Sequence, residues 1–223
     1  QDVIDSRKYI LKQKTEVQTD LAGVLSRKET LWGVYHSGFY TNVNAKLQQT
    51  TSYYSLDLRN DYMTLYETDA SGLDFRITAY FTAVDQGGTP NYRLSKLTDI
   101  YELNNMAGSR PSELILGINM IRIPEMYYIA AEALLDVNPE LALDYYNQVR
   151  IHRGLDPLTP NDALTLERIN DERYKEYIGE GQSFFNMKRL NLPILSHNGE
   201  TVFEPGKEIY VVPIPDIEKE NRN

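Results

Sequence analysis

Three runs decide the fold of this 223-residue chain: Asn119-Met-Ile-Arg-Ile-Pro-Glu-Met-Tyr-Tyr-Ile-Ala-Ala-Glu-Ala-Leu134, Ala142-Leu-Asp-Tyr-Tyr-Asn-Gln-Val-Arg-Ile-His-Arg-Gly-Leu155 and Glu172-Arg-Tyr-Lys-Glu-Tyr-Ile-Gly-Glu-Gly-Gln-Ser-Phe-Phe-Asn-Met-Lys-Arg-Leu190. In the first, Pro124 suits an N-terminal helical position, where its missing N–H costs nothing. Met126, Ala130, Ala133, Leu134 and Val137 recur on one face at the helical period. That face is expected to be buried. Ala130, Ala131 and Ala133 leave room for a second helix, because ridge-into-groove packing needs small side chains where axes cross. The partner follows at once. Asn138 reads as an N-cap ahead of Pro139, Leu141, Ala142, Tyr145, Tyr146 and Val149 form the apolar face, and Gly154 supplies a left-handed stop.

The two runs make a helical hairpin of tetratricopeptide size. Such a unit cannot bury its outer faces alone, so further helices are expected beside it. The third run begins near Thr165 and ends at Gly179 and Gly181, with Ile169, Arg173 and Tyr177 on one stripe and Glu172, Glu176 and Glu180 beside it. An arginine on an apolar stripe needs carboxylates, and Glu125 and Glu132 on the first helix are the expected partners.

Composition narrows the function. The net charge is −9 and the 23 Lys and Arg are scattered without a basic run, so nothing provides the phosphate-neutralising surface that nucleic acid requires. No window approaches the ~20 apolar residues of a membrane span, and no signal-peptide core or lipidation cysteine is present. Without cysteine there are no disulfides and no thiolate metal sites. A start at Gln1 is expected of a processed or truncated product. Tyrosine is abundant, 17 against 6 Phe and 1 Trp, and many tyrosines lie outside the helical stripes. Rings with a polar tip suit an apolar face that stays wet.

Elsewhere the pattern is weaker. Gln1 to about Val24 carries Val3, Ile10, Val17 and Leu21 at helical spacing, for one helix or two short ones. Lys28-Glu-Thr-Leu-Trp-Gly-Val-Tyr-His36 reads as a short strand with Trp32 in the core. Residues 37–58 mix Gly, Asn, Thr, Gln and Ser with Phe39, Tyr40, Tyr53 and Tyr54 and have no helical period. A long loop of this kind can stack its rings on a sugar while its amides bond the hydroxyls, or else cover the helices. Asp57 to Met63 is expected as a short helix and Asp74 to Ala83 as a strand. An Asp85-Gln-Gly-Gly-Thr-Pro-Asn91 turn and a hairpin partner from Tyr92 to Leu97 follow. Residues 103–112 read as another loop, 192–206 as irregular, and Glu208 to Pro215 as a strand halted by its prolines.

Several blocks then stand in a fixed order. They are Arg122-x-x-Glu125-x-Tyr127-x-x-Ala130-Ala131-Glu132-Ala133; Leu143-x-x-x-Asn147-x-Val149-Arg150-x-x-Arg153-Gly154-Leu155; Glu172-Arg173-x-x-Glu176-x-x-x-Glu180-Gly181 followed by Phe185, Lys188 and Arg189; and Pro213-Ile-Pro with Glu220-Asn221. Together they resemble the SusD-like (RagB/SusD) nutrient-binding outer-membrane lipoproteins of Bacteroidetes. The Lys28 strand and Asp74-Phe-Arg extend the likeness over nearly all of the chain. Ser183 stands where the family usually has arginine and Asn186 where it usually has aspartate, so one ion pair is expected to be missing.

The resemblance implies a mainly α fold of tetratricopeptide-like hairpins with long loops and a few short β-strands. It implies a single region, 1–223, matching the C-terminal part of a longer family fold, with the N-terminal part and its lipidation signal absent. It also implies a non-catalytic glycan-binding lipoprotein, lipid-anchored at the outer-membrane surface, that delivers nutrient to a SusC-like TonB-dependent transporter. The expected ligand residues are Phe39, Tyr40, Tyr53 and Tyr54, with Tyr92 near the Gly-Gly turn as a second location. The alternative is a helical scaffold that caps the transporter without binding sugar.

An enzymatic reading is available. Glu172, Glu176 and Glu180, one turn apart, could serve as a glycosidase acid and nucleophile, which need carboxylates ~5–9 Å apart. Beside Arg168, Arg173 and Lys175 they read more simply as a structural charge network. His36, His152 and His197 lack metal-ligand spacing, Asp57 and Asp61 lack the alternation of a calcium loop, and Gly87-Gly88 opens no phosphate loop. No catalysis, metal or cofactor is expected.

Overall fold

The computed structural model describes residues 1–13, 16, 28–35, 57–58, 65–66, 74–86, 89–94, 96, 117–196 and 199–220. The chain divides into two compact units, Gln1–Glu180 and Gly181–Asn223. The first holds α1 (Asp2–Asp5), β1 (Thr30–Tyr35), β2 (Asp57–Leu58), α2 (Phe75–Tyr80), β3 (Phe81–Gln86), β4 (Thr89–Leu94), β5 (Gly117–Arg122), α3 (Ile123–Leu134), α4 (Pro139–His152) and α5 (Leu166–Tyr177). The second holds α6 (Gln182–Leu190), β6 (Ile194–Leu195), β7 (Val202–Phe203), α7 (Lys207–Tyr210) and α8 (Asp216–Glu220). The fold is mainly helical with short strands, as the sequence predicts.

The expected hairpin forms with its expected punctuation. Asn138 caps α4, its side chain accepting from the Leu141 N–H at 3.2 Å, and Thr165 caps α5 by accepting from the Arg168 N–H. At the far end of α4, Leu155 N–H donates to the Arg150 carbonyl across Gly154, whose φ is +88°. This is a Schellman stop, and its glycine is required twice over. The left-handed backbone disfavours a side chain, and a Cβ there would stand 2.3 Å from the Phe75 ring. The core joins Ile123, Tyr128 and Ala131 of α3 to Tyr146 and Val149 of α4, Ile169 and Tyr177 of α5, and Leu11.

One face of α3 differs from expectation. Ala133 is exposed, Val137 is 78% exposed, and Met126, Ala130 and Leu134 are half-buried. The inner stripe passes through Ile123, Tyr128 and Ala131 instead. Tyr128 is the cause: its ring is fully buried, edge-on to Tyr177 with centroids 6.4 Å apart, and the large ring takes the inward position over the small alanines.

The strands show further corrections. β3 and β4 form the expected hairpin, from Phe81 opposite Leu94 to Gln86 opposite Thr89, with the second strand starting at Thr89. β2 pairs with the other edge of β4, so Asp57–Leu58 is extended where a helix was expected. Residues 74–80 are not a strand. Asp74 caps α2 by accepting from the Arg76 N–H at 3.0 Å, and the helical turn buries Phe75, Arg76, Ile77 and Tyr80 together, which an alternating strand would split between two faces. β1 is a strand as expected, but its partner β5 was read as part of the helical run. Trp32 is 56% exposed and is not a core residue. Of the expected N-terminal helices the described residues show Asp2–Asp5, after which the Ile10 N–H donates to the Lys28 carbonyl, and Glu16 is helical; Val17 and Leu21 lie outside the described residues.

In the second unit Gly181, with φ +77°, precedes α6. Phe184 packs against Phe185 and Tyr210 at centroid distances of 6.0 and 5.6 Å, and the Tyr210 hydroxyl donates to the Leu192 carbonyl. The segment 192–206 contains the short β6–β7 pair, Ile194 opposite Phe203. Where a strand was expected at Glu208, α7 forms a helical turn after Gly206, and Pro213 and Pro215 withhold the donors that a ladder would need. Arg189 Nη2 donates to Asn186 Oδ1 at 2.8 Å, a neutral-acceptor bond at the position of the ion pair expected to be missing.

Gly154→Ala adds left-handed strain to overpacking against Phe75, and should cost about 2–4 kcal/mol in urea unfolding. Gly181→Ala has nothing within 4 Å of its new methyl and should cost only about 1–2 kcal/mol.

Candidate functional site

The polar centre of the first unit is built around Glu176, which is fully buried on α5. Arg153, at the end of α4, grips it with both arms: Nε donates to Oε2 and Nη2 to Oε1, each at 2.9 Å. Arg122, where β5 meets α3, donates through Nη1 to Glu176 Oε1 at 2.6 Å and takes Glu180 bidentately at 2.9 and 3.0 Å. Glu29, just before β1, closes the ring with Arg122 at 3.2 Å and Arg153 at 3.1 Å. Forked guanidinium contacts of this kind are the strongest hydrogen bonds available to carboxylates.

A second cluster adjoins the first. Arg76 holds Asp74 bidentately at 2.7 and 2.8 Å, reaches Glu172 Oε2 at 2.8 Å, and comes within 3.5 Å of Glu176. Lys175 pairs with Glu172, and Arg150 Nη1 lies 3.6 Å from the same carboxylate. Lys96 donates to the Glu176 carbonyl at 2.8 Å, pairs with Glu180 at 2.6 Å, and stands 4.0 Å above the Tyr80 ring. As the spacing predicts, Arg173 reaches Glu132 at 2.6 Å and Glu125 at 3.6 Å.

Burial alone would raise the Glu176 carboxyl, but Arg153 and Arg122 override it and hold it well below the usual range. Burial likewise opposes ionisation of Glu172, and Arg76 and Lys175 bring it down to about 2. A glycosidase acid needs the opposite shift, upward toward neutrality. The glutamate row is therefore spent on cohesion.

Beside this lattice a cleft of about 320 Å³ opens among Tyr146, Arg150, Arg168, Asp171, Glu172 and Lys175. Its walls are mostly charged, and Glu172 pairs there with Lys175 and Arg150. Asp171 is raised by partial burial and by Glu167.

Among the expected ligand residues, Phe39, Tyr40, Tyr53 and Tyr54 lie outside the described residues. Tyr92 sits on β4 opposite Ala83 and Leu58, half-buried against the cluster of Tyr66, Ile77, Tyr80, Phe81 and Leu94. Among the described residues no group of three or more His, Asp or Glu could hold a metal, and no helix is long and apolar enough to cross a membrane. Sequence reasoning found the glutamate row and the Arg173 pairing. It did not place Glu29, Asp74, Arg76 and Lys96 in the lattice, although Asp-x-Arg at a helix start and a glutamate row facing inward were the available signals.

Two pH responses follow. Glu172 drops from 4.5 unfolded to about 2 folded, so its stabilisation is complete above pH 4.5 and is lost as pH falls toward 2. The loss is about 3 kcal/mol from this group alone, measurable as a falling urea midpoint. Burial pushes Lys96 down from 10.5 to about 8, against the pull of Glu180. Its charged form costs stability at neutral pH and the cost is relieved between pH 8 and 10.5. Stability should rise across that window in the native chain relative to Lys96→Met.

The family model of the SusD family matches residues 28–218. A search of curated proteins finds no match. Among solved structures, a SusD superfamily protein from Bacteroides thetaiotaomicron is 23% identical with a TM-score of 0.73, covering 98% of this chain and 52% of its own. A SusD-like carbohydrate binding protein from Bacteroides vulgatus is 20% identical at TM-score 0.68, over 98% of this chain and 52% of its own. The surface glycan-binding protein A of Bacteroides uniformis is 16% identical at TM-score 0.66, over 99% and 52%. This chain thus spans about half the length of these structures, and they agree with it in fold. The match over 28–218 places its Arg122 helix, its Arg150 and Arg153 turn and its glutamate row within one family pattern: the chain belongs to the SusD family.

Proposed function

We propose that this chain is the part of a non-catalytic, lipid-anchored cell-surface protein that binds glycan and passes it to a SusC-like TonB-dependent outer-membrane transporter. Family membership over residues 28–218 carries the reading. Two solved relatives of the same fold are described as carbohydrate- or glycan-binding. The glutamates that would have to cut a glycosidic bond are locked to arginines, which favours binding over hydrolysis.

Binding is assigned to the tyrosine-rich stretch with Phe39, Tyr40, Tyr53 and Tyr54, with Tyr92 as a further contact. Aromatic faces take the C–H side of a pyranose while neighbouring amides bond its hydroxyls. A scaffold role toward the transporter alone is the second reading. It is favoured by exposed Ile129 on α3 and Val137 in the turn after it, which a neighbouring helical body could cover.

Affinity gel electrophoresis against soluble polysaccharides tests the proposal. The native chain should be retarded by at least one of them, and Tyr53→Ala/Tyr54→Ala should weaken binding by about tenfold or more. Unchanged retardation in the double variant removes that stretch from the site. Recovery of transporter from outer-membrane extract without any polysaccharide shift favours the scaffold.

A further inference from the structure

Along α5, Arg168, Asp171, Glu172 and Lys175 recur at the helical period and form one wall of the cleft beside the lattice. Tyr146 and Arg150 of α4 form another wall, and Leu65 and Leu158 supply its apolar surface. Most of the charge there is engaged. Lys175 pairs with Glu172, and Arg150 Nε donates to the Asp156 carbonyl at 3.0 Å with its guanidinium over the Tyr146 ring. Asp162 accepts from the Thr159 N–H at 2.8 Å and from its hydroxyl at 2.7 Å. Two groups differ. Among the described residues, neither the Arg168 guanidinium nor the Asp171 carboxylate makes a hydrogen bond or an ion pair. Opposite charges three residues apart on a helix are ordinarily neighbours that pair. These two line the cleft without pairing. Asp171 is half-buried, and burial, Glu167 and Glu172 outweigh Lys175 in working against its charge, so a cation beside it is favoured.

We propose that this cleft binds a small zwitterion with a neutral side chain, a dipeptide or a free α-amino acid, its carboxylate against Arg168 and its ammonium against Asp171. The charge inventory selects the class. An anion alone would answer Arg168 and add a negative charge beside Asp171 and Glu172. A cation alone would answer Asp171 and leave Arg168 as it is. A neutral sugar gives an ion partner to neither. A molecule carrying both signs answers both, through charge-assisted hydrogen bonds at each end. The volume bounds its size, because about 320 Å³ lies at the lower end of the ~300–1,000 Å³ of ligand pockets. Its side chain is neutral because Leu65 and Leu158 offer apolar contact and the Glu172, Lys175 and Arg150 charges already meet one another. The site is separate from the aromatic stretch assigned to glycan and uses none of its residues.

Titration calorimetry at neutral pH tests the site with alanyl-alanine, alanine, leucine and galactose. N-acetyl-alanyl-alanine, which lacks the ammonium, and alanyl-alanine amide, which lacks the carboxylate, are the blocked controls. The expected result is saturable binding of a zwitterion, with each blocked form of the dipeptide bound about tenfold or more weakly. The variants should then divide the two ends. Asp171→Asn loses the preference over the acetylated form and keeps the preference over the amide, and Arg168→Gln does the reverse. Neither side chain has a partner to lose, so both variants should melt as the native chain does, and the blocked controls on the native chain decide the matter even without them. Binding of alanine and leucine as well as the dipeptide assigns the cleft to amino acids, and binding of the dipeptide alone assigns it to peptides; both support the proposal. No binding of any zwitterion at millimolar concentration, equal binding of the blocked forms, or binding unchanged in both variants overturns it. Galactose binding that is lost in both variants assigns the cleft to a sugar and also overturns it. Each of these failures leaves the glycan-binding reading of the aromatic stretch to its own gel test.

Discussion

A buried carboxylate is intolerable unless several fixed cations meet it, and the first unit of this protein is arranged around that constraint at Glu176. Arg153 takes both of its oxygens, Arg122 shares one, and Arg76 approaches the other. Those arginines come from the end of α4, the β5–α3 junction and the start of α2. The site therefore exists only when all three elements are docked on α5. Removing any one member leaves its partners charged and dry, so cohesion here is close to all-or-none. The apolar cluster of Ile123, Tyr128, Val149 and Ile169 supplies hydrophobic stabilisation, and the lattice supplies registration between the elements.

The same lattice determines what the rest of the surface can be. Glu172, Glu176 and Glu180 are each held by arginine or lysine, so the glutamate row serves the cohesion of this unit. Arg122 also turns the polar side of the β1–β5 ribbon inward. Trp32, paired with Ile121 next to that arginine, lies on the exposed side.

Legibility in the sequence followed the range of the interaction. Asn138, Thr165 and Gly154 act within one turn of chain, and each does in the structure what its type predicts. Arg173 with Glu125 and Glu132 was legible for a related reason, since helical period puts the arginine on the apolar stripe and an inward charge must find an acid. Tyr128 failed the reading because a tyrosine can be wet or buried, and only its neighbours decide. Asp74 to Tyr80 failed because alternation favoured a strand, whereas a cap and a bidentate Arg76 favour a turn of helix. Phe39, Tyr40, Tyr53 and Tyr54, expected as ligand residues from the aromatic-and-amide composition of their stretch, lie outside the described residues.

The sequence by itself determined the helical hairpin, its caps, its left-handed stop and the family pattern, because these depend on residues a few positions apart and on fixed order. Only the tertiary structure decided which side of α3 is inside, where Trp32 points, and how Glu29, Asp74, Lys96 and Glu176 meet. Those outcomes depend on charges from distant parts of the chain sharing one dry volume. No local period encodes that arrangement, since desolvation is set by the whole packed assembly and not by any single element.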